Sequence, residues 1–256
     1  MNSIWCSRYA VATASHPGRE HLRLLGNNQD ALALRASEEA LVAVVTDGCS
    51  MGRRSEVGAT LGAQFIAGWL LEHGRAETLE DARRVGAALG LALDGFLTQL
   101  LRSLGEAGDR RARLTLIAEL LLFTFLAARV DAERTLLVGL GDGYFHVGET
   151  ATALAPGAGN APPYAAYRLL DPGELEGAEL PREVELHAFQ PTPTALPLIL
   201  GTDGAAEIAA ELPAWLADPV LPTNPHQLGR HLRQCASRRR GLADDTTLAI
   251  VLPRGG

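Results

Sequence analysis

At 256 residues and 27.1 kDa the chain is long enough to bury a substantial core as one domain of a larger α/β or α+β kind. A net charge of -7 and a pI near 5.5 argue against a nucleic-acid partner, and all 23 basic residues are Arg. That excludes a Walker A lysine, a Schiff-base lysine and the strand lysine of a protein kinase.

Cys6, Cys49 and Cys235 show no C-x-x-C spacing, and the first eight residues carry no apolar leader. The most apolar run, 114 to 128, is interrupted by Glu119 and falls short of the roughly 20 residues a bilayer requires. The expectation is a cytoplasmic protein with no membrane partner.

In chain order, residues 4 to 14 alternate as a first strand, which Ser15-His16-Pro17-Gly18 breaks. A polar stretch through Gly26-Asn27-Asn28-Gln29-Asp30 leads to a short strand at 31 to 34. Val42, Val44 and Val45 mark a buried strand over 40 to 46 that stops at Asp47-Gly48 and so delivers a carboxylate to its own end. Ser55 is the expected N-cap of a helix reaching 72, on the spacing of Val57, Leu61, Phe65, Ile66, Trp69 and Leu70. A second, longer helix is predicted from 77 to 104, with Asp94-Gly95 inside it or at its break.

From 113 onward the texture is of closely spaced strands, at 120 to 130, 135 to 140 and 144 to 148. The last two flank Gly141-Asp142-Gly143 as a hairpin. Residues 150 to 182, rich in Ala, Gly and Pro, read as an irregular insertion. Strands resume at 184 to 189 and 197 to 201, the second ending at Thr202-Asp203-Gly204. Helices at 205 to 216 and 226 to 237 follow, with Arg238-Arg239-Arg240 as a solvated helix end. Ala243-Asp244-Asp245 precedes a last strand at 246 to 252. Blocks of strands with hairpins, rather than βαβ alternation, argue for an α+β class with antiparallel sheets.

Three segments thus set an acid beside glycine at a strand's end: Val45-Thr46-Asp47-Gly48, Gly141-Asp142-Gly143 and Gly201-Thr202-Asp203-Gly204. Asp30 and Asp244-Asp245 add acids where strands begin. A single Asp-Gly pair is ordinary turn chemistry. Several carboxylates converging would repel by roughly 4 kcal/mol per pair at about 4 Å, and a bound cation would compensate. Oxygen donors without His or Cys suit Mg²⁺ or Mn²⁺ rather than Zn²⁺.

With Asn28-Gln29-Asp30 at the front and Asp244-Asp245-Thr246-Thr247 at the end, this ordered set resembles the protein phosphatase 2C (PPM) family of metal-dependent serine/threonine phosphatases over about residues 10 to 252. The resemblance implies a single domain over 1 to 256, a four-layer α-β-β-α sandwich of two antiparallel sheets flanked by helices. It also implies a phosphoserine or phosphothreonine protein substrate, a cognate Ser/Thr kinase, and two Mn²⁺ or Mg²⁺ ions activating a water, with a weaker third ion. By the same resemblance Asp47 bridges two ions, Gly48 offers its main-chain carbonyl to one, and Asp203 and Asp244 complete the other's shell. Asp30 resembles the acid that holds the water, and Asp142 the acid of the third site. Asp245 is expected to hydrogen-bond beside the last strand.

Two departures stand out. Gln29 occupies a position where the family usually has Glu, and Leu25 one where many members carry a phosphate-binding Arg. Arg23 is the nearest substitute, ahead of Arg53 and Arg54, and His16 and His21 are the nearest general acids. Three other readings remain: a cysteine-phosphatase loop at Cys49, whose Arg spacing is one or two residues short, a phosphatase-like module that binds or regulates phosphoproteins without turnover, and the same chemistry on a small phosphoester.

Overall fold

Among the described residues ten strands form because apolar residues recur at period two along them, and the central ones are apolar on both faces. In the computed structural model residues 8–105, 109–157, 161–171, 174, 183–224, 226–239 and 241–254 are described. The strands are β1 (Tyr9–His16), β2 (Ala31–Ala36), β3 (Ala40–Gly48), β4 (Phe123–Asp131), β5 (Arg134–Leu140), β6 (Gly143–Val147), β7 (Thr150–Leu154), β8 (Glu185–Pro191), β9 (Leu198–Gly201) and β10 (Thr246–Pro253). The helices are α1 (Arg19–Leu24), α2 (Glu56–His73), α3 (Leu79–Ser103), α4 (Arg110–Leu116), α5 (Thr192–Ala195), α6 (Leu212–Leu216) and α7 (Gln227–Ala236).

Two five-stranded sheets result, ordered β1-β10-β9-β6-β7 and β2-β3-β4-β5-β8, with every pairing antiparallel. Alternation along single strands divides the interior into three cores. On β3, Val42 and Val44 face α2 and α3, whereas Leu41, Ala43 and Val45 face the other sheet. On β10, Ala249 and Val251 meet them there, and Leu248, Ile250 and Leu252 point to α6 and α7. Three cores between four layers give the α-β-β-α sandwich expected from the sequence. Helix α3 is apolar and long enough by composition to cross a membrane, yet Leu89, Leu93, Leu97 and Leu101 are buried in the core it shares with α2 and the β3 sheet.

Several local expectations give way to tertiary structure. Gly141-Asp142-Gly143 is no hairpin: β5 and β6 belong to different sheets, and Gly141 and Asp142 alone carry the chain between them. That crossing needs Gly141 at φ +98° and Gly143 at φ +140°, and a Cβ on Gly141 would sit 2.4 Å from Thr124 Cγ2. The actual hairpin is β6–β7, turning at Gly148, so the first five residues of the supposed irregular insertion are a strand. Ala165–Leu169 form a 3₁₀ turn in the same stretch, while 158–160, 172–173 and 175–182 lie outside the described residues, as do 4–7 and Arg240.

Ser55 precedes α2 but caps nothing; its hydroxyl donates to the Cys49 carbonyl at 2.9 Å. The strand expected from 120 begins only at Phe123, because a π-helical turn over Ile117–Leu121 occupies the preceding residues. Helix α1 was not foreseen, and β1 runs on through His16.

Candidate metal centre

Strand ends deliver the acids. Asp47 lies at the C-terminal end of β3, Asp203 follows β9, Asp244 precedes β10, and Asp142 is held inward by the glycine-flanked crossing between the sheets. These four carboxylates line one cavity of about 580 Å³, which Gly48, Gln29, Asp245 and His21 also line. Asp30 stands behind it, buried, accepting a hydrogen bond from the Thr202 hydroxyl at 2.8 Å.

Electrostatics mark the cluster as uncompensated. Burial, then the charges of Asp30, Asp203, Asp142 and Asp244, push the Asp47 carboxyl far above the usual carboxylate range. Burial and the neighbouring Asp244 and Asp142 push Asp203 up to about 7. Asp30 is driven strongly upward by burial, against the help of Thr202, and burial raises Asp142 and Asp244 as well. None of Asp47, Asp142, Asp203 and Asp244 makes an ion pair, and no Arg lines the cavity among the described residues.

These features fit a hard divalent cation. Asp30 Oδ1 and Asp142 Oδ1 are buried without a hydrogen-bond partner among the described residues, and the donors are all oxygen. The side chains do not form a ready cage: among the described residues no three His, Cys, Asp or Glu stand grouped as ligands of one ion. Asp203 Oδ1 and Asp244 Oδ1 instead accept the amide protons of Gly204 at 2.6 Å and Asp245 at 2.8 Å. Donor chemistry and charge therefore carry the assignment, and the carboxylates would turn inward to hold an ion.

Asp245 plays a different part. It is 3% exposed and accepts from Gly18 N at 2.6 Å and His21 Nδ1 at 2.7 Å through Oδ1, and from Gln29 N at 2.6 Å through Oδ2. It thereby ties the start of α1 and the approach to β2 against the start of β10, and it fixes the His21 ring with Nε2 as the remaining nitrogen. Gln29 suits its place for a related reason: its amide nitrogen donates to Gly52 O at 2.8 Å, which a carboxylate could not do.

The phosphate-binding candidate behaves otherwise. Arg23 is exposed on α1 and bound by Glu20 at 2.8 and 3.1 Å, away from the cavity wall, and Arg53 and Arg54 are exposed outside it too. Leu25, where many family members place Arg, ends α1 at φ +55° with 93% of its surface exposed. Sequence reasoning missed Tyr164 and Tyr167, which line the cavity with the acids, because the 3₁₀ turn that presents them has no periodic signature.

The cysteine-loop alternative fails on backbone geometry. Such a loop cradles phosphate with free amide N–H groups, but here Cys49 N donates to Leu122 O, Gly52 N to Cys49 O and Arg54 N to Glu119 O.

The protein phosphatase 2C profile matches residues 17–217. The chain belongs to the protein phosphatase 2C family. The match covers the segments of Asp30, Asp47, Asp142 and Asp203 and stops before Asp244. Membership makes the protein a phosphoprotein hydrolase by class, in a family that depends on Mn²⁺ or Mg²⁺.

Among solved structures, this phosphatase 2C member is similar to PppA, a regulatory component of the type VI secretion system in Pseudomonas aeruginosa. The two are 20% identical with a TM-score of 0.56, over 98% of this chain and 100% of that one. It is also similar to the serine/threonine phosphatase Stp1 of Staphylococcus aureus, at 15% identity and TM-score 0.57 over 96% and 95% of the two chains. With the serine/threonine phosphatase PstP of Mycobacterium tuberculosis the values are 15% and 0.54, over 95% and 98%. At such identities the likeness speaks for the fold alone. No curated protein sequence matches the chain.

Proposed function

We propose that the protein hydrolyses phosphoserine and phosphothreonine esters in proteins with the help of Mn²⁺ or Mg²⁺ held by Asp47, Asp203 and Asp244, the Gly48 carbonyl and, at a weaker site, Asp142. One observation supports this reading: carboxylates from four distant strand ends line one cavity, and among the described residues no Arg lines it with them. When bound, the ions would lower the pKa of a water toward neutrality and hold phosphoryl oxygens. Asp30, buried and close enough for its charge to act on Asp47, would orient that water. His21, with Nδ1 committed to Asp245, offers Nε2 as the atom that gives a proton to the departing Ser or Thr oxygen. Tyr164 and Tyr167 supply aromatic surface to the same cavity.

The test is phosphate release from a phosphothreonine peptide, titrated with Mn²⁺ and with Mg²⁺, for the wild type beside Asp203→Asn. Saturable ion dependence is expected, with the variant needing more ion and turning over about 100-fold more slowly. Folded wild type inactive with both ions would overturn the proposal. A second reading, a regulatory module that binds phosphoproteins without turnover, is favoured by the lack of any Arg lining the cavity among the described residues. Peptide binding without phosphate release would establish it.

A further inference from the structure

A phosphoryl group in the metal cavity would meet carboxylates and ions but, among the described residues, no arginine. The lining holds a donor of another kind, the phenol of Tyr164. Tyr164 precedes the 3₁₀ turn Ala165–Leu169, and Ala165 and Ala166 are buried in the core shared with α2, α3 and the β3 sheet. Tyr167 N donates to Tyr164 O at 3.0 Å, and the two rings meet edge to face with centroids 5.4 Å apart. Backbone and ring are thus both held. The same segment abuts the crossing that carries Asp142, since a Cβ on Gly141 would lie 3.4 Å from Pro163 O. The hydroxyl end reaches the acids: burial, then the Cys49 thiol and the charges of Asp47 and Asp142, push the phenol far above its usual range, so it stays protonated. A thiol is a weak partner for that O–H. An arginine here would pair with the carboxylates in place of an ion, whereas a phenol donates without adding charge.

We propose that the Tyr164 hydroxyl donates a hydrogen bond to a phosphoryl oxygen of the substrate, in place of the arginine that position 25 does not supply. The inference rests on the phosphatase reading above. Inorganic phosphate, the product, carries the same oxygens and is held by the same O–H. A neutral donor to a charged oxygen makes one of the stronger hydrogen bonds available to a side chain, and it is worth more where water is displaced. Tyr164 is therefore a phosphate-binding residue, and it leaves the ions to the carboxylates.

The experiment compares the full chain with Tyr164→Phe, which keeps the ring and removes only the O–H, both shown folded by circular dichroism and loaded with Mn²⁺. Calorimetric titration with inorganic phosphate is expected to show about tenfold weaker binding to the variant, because a hydrogen bond to a charged oxygen is lost. On a phosphothreonine peptide kcat/KM is expected to fall by about tenfold or more. Mn²⁺ affinity, read without phosphate from the paramagnetic resonance of the free ion, is expected to stay within about twofold, since the hard oxygen ligands are untouched. Phosphate binding by the variant within about twofold of wild type overturns the inference, as does a wild type that binds no phosphate. A loss of Mn²⁺ affinity as large as the loss of phosphate affinity also overturns it, by making the hydroxyl part of the ion site. If the wild type binds phosphate but releases none from the peptide, the phosphatase reading fails, and the phosphate titration of the two proteins decides the hydroxyl's part by the same criterion.

Discussion

The β3–β4 ladder carries charge at both ends and treats it in opposite ways. Its register pairs Ala40 with Asp131 at one end and Asp47 with Thr124 at the other, seven residues away, or about 24 Å. At the first end a cavity of about 470 Å³ interleaves Arg75, Arg129 and Arg134 with Glu77, Asp131 and Glu133. Asp131 holds the buried Arg129 and accepts the amides of Arg134 at 2.8 Å and Glu133 at 3.0 Å. Burial alone would raise its carboxyl, but those amides and the guanidinium bring it below its usual range. At the second end burial, and then the charges of other acids, drive Asp47 far above that range. The two ends use the same residue type. The difference is whether the fold itself supplies the counter-charge or leaves it to a ligand.

Four measurements break or sharpen that contrast, in falling order of expected effect. Asp47→Asn should lower kcat/KM on a phosphothreonine peptide by about 10³-fold or more, roughly 4 kcal/mol, while making the ion-free protein at pH 8 more stable, since a repelling charge is gone. A stability loss in ion-free melting curves would contradict the account of an uncompensated cluster. Arg129→Ala should cost about 3 kcal/mol in denaturant unfolding by stranding Asp131, with kcat/KM per folded molecule unchanged. An activity loss there would mean that the two ends are not independent.

His21→Ala should slow the peptide about 30-fold, near 2 kcal/mol, and a nitrophenyl phosphate, whose leaving group needs no proton, less than about threefold. Equal losses would reduce His21 to a positioning residue. The smallest effect concerns pH. Folding raises the Asp203 carboxyl to about 7, so the fold is favoured while that group is protonated and loses this advantage as pH climbs from about 4 through 7. The ion-free protein should therefore be about 1–2 kcal/mol less stable at pH 8 than at pH 5.5, and Mg²⁺ or Mn²⁺ should cancel the slope. A flat calorimetric profile without ions would argue that the acids are relieved by some other means.

Particular residues show how far local pattern reaches. Val42, Val44 and Val45 before Asp47-Gly48 announce a buried strand with an acid at its end, and the structure has one. The apolar runs before Asp203 and after Asp244 are legible for the same reason. Gly141-Asp142-Gly143 is not, because glycines beside an acid between two apolar runs serve a hairpin and a sheet-to-sheet crossing equally well. Only the competition of β5 and β6 for partners in different sheets decides it. Arg23 and His21 sit two positions apart, yet the short helix α1 turns one toward Glu20 and the other toward Asp245, 224 residues away.

By itself, then, the sequence settles where strands run, which of them end in carboxylates, and that the chain carries no lysine chemistry, since period-two burial and turn residues act over a few neighbours. Which acids meet, which arginines stay outside, and which histidine comes to face them were decided by tertiary structure. Burial of three hydrophobic cores drives the pairing of remote strands, and the charges at their ends are carried along into a place that local preference would not put them.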